Sequence, residues 1–187
     1  MREFQELLAG TGLTLEAVDS GVTENGPTYA TNAALKAEAV ARARGYPALG
    51  DDSGLEVEAL GGYPGLHSAR IAPTQPDRER LLFERLRQRR RPWRARFVCW
   101  LALAAPGGST LLFSGEVAGE IRRSVTRSQG FGYDPVFWPH SSSRSFAELE
   151  PAEKNRLSHR GVALRALLAS GALSNLNSRS ERGERRR

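Results

Sequence analysis

Two apolar runs, ARFVCWLALAAP at 95–106 and STLLFSGEVAGEIR at 109–122, flank the dipeptide Gly107-Gly108. Runs this long, separated by two glycines, specify a β-hairpin. A hairpin so apolar must be covered by another layer. Upstream, Phe4, Leu7 and Leu8 have helical spacing over 2–10, and Thr28 is placed to cap a helix that reaches Arg44 and stops at Gly45. LTLEAV (13–18) and PALGD (47–51) read as short strands, and LEVEAL (55–60) as a further extended piece. GGYPG (61–65) is a turn, and DRERLLFERLRQR (77–89) is a helix with its apolar stripe at Leu81, Leu82 and Leu86. SQGFGYDPVF (128–137) is a glycine loop leading into a strand. Residues 146–170 are helical in their latter part, with Ser158 as N-cap. The class is α/β with a mixed sheet.

The 187 residues, 40% hydrophobic, suit one domain over residues 1–174. No apolar run approaches the ~20 residues of a membrane span, and MREFQELLAG contains no signal-peptide core. The single cysteine, Cys99, lies within an apolar run and is expected to be buried and inert. A cytoplasmic location follows by default. The net charge of +6 comes from arginines concentrated at 85–97 and in the tail. The tail, 175–187, is polar and aperiodic and is expected to be disordered. The middle cluster reads as a solvated helix end. Polynucleotide binding is not expected, because no nucleic-acid module accompanies the charge.

One stretch resists a purely structural explanation. LGDDSGLEV (49–57) places Asp51 and Asp52 side by side at the end of an apolar segment. Adjacent carboxylates repel, and buried ones need partners. Asp, Ser and Gly also make ordinary turns, so this stretch alone reads equally as a strand-to-turn junction or as a metal or general-base site.

Four stretches recur in a telling order: TNAALKA (31–37), GDDSGLEVEALGGYPGLHSAR (50–70), GFGYDPVF (130–137) and EKNRLSHRG (153–161). Together they resemble the non-standard purine nucleoside triphosphate pyrophosphatases of the inosine triphosphatase type, over residues 2 to 170. The resemblance implies a mixed, elongated sheet flanked by helices, in two lobes with the active site in the cleft between them. It implies hydrolysis of dITP, ITP and XTP to the monophosphate and pyrophosphate, with Mg²⁺, by a homodimer and without a membrane partner. Asp52 matches the general base and metal contact, and Asp51 a supporting residue. Ser53 matches a nucleotide contact. Phe131, Gly132, Tyr133 and Asp134 match the base-recognition loop, where an aromatic ring can stack on a purine. Lys154, His159 and Arg160 match further nucleotide contacts. Donors at His159 and Arg160 suit a 6-keto oxygen and leave adenine's amino group unmatched. Arg70 is a weaker phosphate or ion-pair candidate, and His67 is assigned nothing.

The chain departs from the family pattern twice. The family opens with a strand ending in an (S/T)GNxxK phosphate turn, whereas this sequence opens at MREFQELL, which reads as the helix that follows. The expectation is a coding start placed downstream of the true one. The family's metal-site glutamate is replaced by Thr31, with Asn32 retained; a hydroxyl is a poorer ligand for a hard cation, and Glu56 is a possible substitute. These departures motivate the alternative of a catalytically impaired nucleotide-binding relative.

Overall fold

The computed structural model describes residues 2–123 and 132–173. Phe131 and the tail at 175–187 therefore lie outside the described residues. The helices are α1 (Arg2–Leu7), α2 (Tyr29–Arg44), α3 (Gln75–Leu86), α4 (Pro151–Leu157) and α5 (His159–Ala169). The strands β1 (Ala48–Val57), β2 (Trp93–Ala104), β3 (Thr110–Ile121) and β4 (Phe137–Pro139) form one sheet in the order β1-β2-β3-β4.

The hairpin forms where its sequence placed it. Gly107 takes a left-handed φ of 64°, and the Gly108 N–H donates to the Ala105 carbonyl at 3.0 Å. A connection this short admits only antiparallel pairing. β4 is also antiparallel to β3, with Glu120 opposite Trp138. The α/β class holds, but the described sheet is antiparallel rather than mixed. α2 is bounded as expected. The Thr28 hydroxyl accepts the Thr31 N–H at 3.1 Å, and Gly45 closes the helix at φ 72°.

Two elements differ from expectation. Residues 13–18 form no strand, because extended backbone becomes a strand only where a neighbour completes its ladder, and no described strand does so. Leu15 and Val18 instead line a cavity of about 670 Å³ with Val40, Ala48 and Leu49. β1 does not stop at the acidic pair; it runs through DDSG to Val57. Ser158 stands where an N-cap is expected: it is extended (φ −67°, ψ 152°), ends α4 and immediately precedes α5.

The chain divides into two compact units. The first comprises residues 1–52, 100–115 and 160–187. Its packing is built from small side chains. Ala33, Ala37 and Ala41, at i, i+4 and i+8 on α2, are at most 2% exposed and cluster with Ala102 and Ala104 of β2. Gly50 permits this closeness, since a Cβ there would lie 2.2 Å from the Ala33 carbonyl oxygen. The second unit comprises residues 53–99 and 116–159. Its core is aromatic, with Phe97 packed edge-on against Phe137 at 4.7 Å and stacked near Phe146 at 5.9 Å. Cys99 is fully buried.

Because the obstruction at Gly50 is backbone rather than a movable side chain, Gly50→Ala is expected to cost about 1–3 kcal/mol. Urea unfolding checks this as a lower midpoint at unchanged slope.

Candidate active site

Close packing of α2 on β1 decides what surrounds Asp52. Asn32 and Lys36 are one turn apart on α2 and share a face. The Asn32 Oδ1 accepts the Gly26 N–H at 2.8 Å, which leaves Nδ2 to donate to Asp52 Oδ2 at 3.1 Å. A side chain at position 26 would collide with this amide, as a Cβ there would lie 2.7 Å from Asn32 Oδ1. Lys36 Nζ donates to Glu24 Oε1 at 2.6 Å and lies 3.6 Å from Asp52 Oδ1. Loop 24–26 thus anchors both side chains that address Asp52.

Asp52 is only 8% exposed. Burial pushes its carboxyl above the ordinary carboxylate range. The nearby Lys36 ammonium and the Asn32 hydrogen bond pull it back, while Glu24 and Asp51 push it further up. The net effect is a carboxylate with increased proton affinity, which suits a general base.

Asp51 belongs to different company. Its Oδ2 accepts the Arg160 Nε–H at 2.8 Å, and the same guanidinium lies 3.6 Å from Glu3. Strand alternation separates the adjacent acids onto two faces, one addressed by α2 and the other by α5. The supporting role expected of Asp51 thus takes the form of an ion pair with Arg160. Thr31, which stands where the family pattern has glutamate, is engaged in the helix cap through a 2.8 Å contact between its hydroxyl and that of Thr28.

Within the second unit, Lys154 Nζ donates to Asp134 Oδ2 at 2.7 Å, and Asp134 is 3% exposed. A buried pair with one such bond is costly to break, because either partner alone would remain as an uncompensated charge. Gly132 takes a φ of 65°, where glycine is favoured. Tyr133 is 3% exposed and lies within the hydrophobic core, so its ring is packing rather than a stacking platform. Its hydroxyl donates to the Ser68 carbonyl at 3.0 Å, and burial raises its pKa. Ser68, from the SAR stretch, accepts the Leu55 N–H at 2.9 Å and donates to the Gly65 carbonyl at 2.6 Å. These bonds fasten the GGYPG turn to β1. His159 is 5% exposed and stacks on Phe97 at 4.7 Å, with the rings 7° from parallel. Ser53 follows Asp52 on β1 and is half-buried. Arg70 donates to the Leu66 carbonyl at 3.2 Å, and His67 is exposed. Glu56, weighed as a substitute for the family glutamate, is held 2.9 Å from Arg96 by an ion pair.

Lys36 and Glu24 are the functional candidates that sequence reasoning passed over. The signal for Lys36 was present, since only two lysines occur in a chain rich in arginine, and Lys36 stands four residues from Asn32 on a helix. Nothing local singled out Glu24, because its role depends on where the loop folds back. Among the described residues no group of three or more His, Cys, Asp or Glu side chains is arranged to hold a metal ion.

A sequence model described as the Ham1 family matches residues 1–170. A Deinococcus radiodurans protein named dITP/XTP pyrophosphatase is 47% identical over 174 residues, which is 91% of this chain and 86% of that protein. A Thermus thermophilus protein of the same name is 48% identical over 175 residues, 90% of this chain and 84% of that protein. The solved structure of a HAM1 protein from Coxiella burnetii matches with a TM-score of 0.80 at 37% identity, covering 93% of this chain and 92% of that one. That of the Staphylococcus aureus Ham1 protein matches with a TM-score of 0.73 at 36% identity, covering 89% and 83%.

A carboxyl whose pKa is raised on folding costs stability once ionised, and the cost disappears where both folded and unfolded chains hold it protonated. Asp52→Asn is therefore expected to raise the melting temperature at neutral pH. The gain should shrink as pH falls through the carboxylate range and vanish below about pH 3. Calorimetric melts of both proteins across that range check the sign.

Proposed function

Because the chain belongs to the Ham1 family, we propose that it hydrolyses the deaminated purine nucleoside triphosphates dITP, ITP and XTP to nucleoside monophosphate and pyrophosphate. The observation that carries this reading is the buried Asp52 carboxylate. It lies in an intact motif, is oriented by Asn32 and stands beside the Lys36 ammonium. In this role Asp52 accepts a proton from the attacking water, and the new bond forms at the α-phosphorus as the bond to the bridging oxygen breaks. Lys36 offers positive charge where negative charge accumulates on the phosphates. The relatives matched over most of the chain are named as pyrophosphatases, and this disfavours an impaired nucleotide-binding protein.

Mg²⁺ belongs to this proposal. The donor set suits an ion that arrives with its triphosphate rather than one held in a protein cage. A hard cation of this kind usually takes one or two carboxylates and completes its shell with phosphate oxygens and water. Asp52 would be its protein ligand. Bound there, the ion would neutralise phosphate charge and polarise the reacting phosphate.

Base selection is assigned to Gly132, Asp134, Lys154, His159 and Arg160, with Ser53 near the phosphates and Phe131 as the remaining aromatic of the loop. Arg160 enters this reading with its guanidinium shared with Asp51. Donors aimed at a 6-keto oxygen would be left unpaired by adenine, which rejects ATP and dATP. A homodimer and a cytoplasmic location complete the proposal. No helix among the described residues is long and apolar enough to cross a membrane.

The test is pyrophosphate release from dITP, XTP and dATP in the presence of Mg²⁺. Release from dITP and XTP is expected to exceed that from dATP, and Asp52→Asn is expected to lose about 10²- to 10⁴-fold in kcat. Equal rates for dITP and dATP, or an unimpaired variant, would overturn the reading. For the dimer, the exposed large apolar residues available to a subunit contact include Leu111 and Leu112, each 46% exposed and on opposite faces of β3, besides Tyr46. Leu111→Glu/Leu112→Glu is expected to sediment as a monomer.

A further inference from the structure

The arginines of the middle cluster are not consumed by the fold. α3 ends at Leu86, so only Arg85 and Arg87 occupy the turn where a helix dipole attracts cations. Arg89, Arg90 and Arg91 lie beyond it, and Arg94 projects outward from β2 between the buried Trp93 and Ala95. All six are exposed. Among the described residues none of them forms a salt bridge with a carboxylate, whereas Arg96 next along the strand pairs with both Glu56 and Glu116.

The surrounding side chains hold this charge in place. The Arg91 guanidinium lies 4.5 Å from the centre of the Trp93 ring, Trp93 is 6.0 Å from Phe83, and Arg123 lies 4.5 Å over Phe83. This row brings the end of β3 to the same face. Arg85 lies 4.2 Å over Tyr63. Stacking restricts long side chains that would otherwise lose their freedom on binding. Like charges gathered without partners repel one another, and a polyanion relieves that repulsion.

We infer that this face of the second unit, from the end of α3 to the start of β2, docks the phosphate backbone of nucleic acid. The guanidinium fork matches phosphate oxygens. Over residues 84–94 the only exposed apolar residue is Pro92, so nothing is offered for insertion into a bilayer. Trp93 and Phe83 are 5% and 8% exposed beneath arginines, so no aromatic face is presented for base stacking. Recognition is therefore sequence-neutral and driven by counterion release. The sequence offered the arginine clusters only weak weight for this, because charge in a linear run looks the same whether it is paired or free. The inference is independent of the catalytic reading.

The test is fluorescence anisotropy of the full chain with a labelled DNA duplex of roughly 20 base pairs and arbitrary sequence, between about 50 and 200 mM salt. Binding is expected to weaken linearly on a log–log plot. Replacing Arg87, Arg89, Arg90 and Arg94 together by Gln is expected to weaken binding at least about 10-fold and to flatten the slope by roughly 3–4, with pyrophosphate release retained as the sign of an intact fold. If that variant loses its fold, Arg89→Gln/Arg90→Gln is read in its place, with a slope change of about 2. Unchanged binding in the folded variant overturns the inference. So does binding that disappears on removing residues 175–187 and is indifferent to the four arginines. Tighter binding to phosphatidylserine vesicles than to the duplex overturns it in favour of a membrane surface.

Discussion

The approach of α2 to β1 at Gly50 governs the candidate site. A methyl group at that position would meet the Ala33 carbonyl at 2.2 Å, so the helix can lie this close only over glycine. The alanines at 33, 37 and 41 keep the helix face equally low. Helix and strand at this separation allow the short amide of Asn32 to reach Asp52 directly. A bulkier contact would move the helix out by more than a hydrogen bond tolerates.

That closeness carries an electrostatic consequence. Asp52 is withdrawn from water, and its compensation is incomplete: one amide bond and an ammonium at 3.6 Å that is already shared with Glu24. The carboxyl is held in a state that opposes folding and favours taking up a proton. Sites of this kind trade stability for reactivity. Asp51 shows the opposite arrangement. It has the same side chain one residue away, on the other face of the strand, and Arg160 neutralises it at 2.8 Å.

The second unit shows how much of a motif can be scaffold. Tyr133 is one of the residues that carry the family resemblance, yet its ring is core and its hydroxyl is bound to Ser68. Ser68 is itself committed to Leu55 and Gly65. Together they hold the GGYPG turn against β1. Asp134 and Lys154 form a buried ion pair that joins the loop to α4. The outer surface of the same unit carries arginines that the interior does not use.

Much of this was legible in the linear order. The hairpin, the cap at Thr28 and the stop at Gly45 are local events, decided by turn chemistry and by the left-handed backbone that glycine accepts. Asp52 was legible through its motif. The rest depended on distant partners. LTLEAV has the composition of a strand but no neighbouring ladder, so it is not one. DDSG has the composition of a turn, but β1, paired with β2, runs through it to Val57. Lys36 and Glu24 gained roles only when a loop folded onto a helix. Propensity and capping act within a few residues, so sequence by itself determined where elements begin and end. Desolvation and charge pairing act across space, so only the tertiary structure decided which acid is desolvated, which is neutralised, and which arginines lack a carboxylate partner among the described residues.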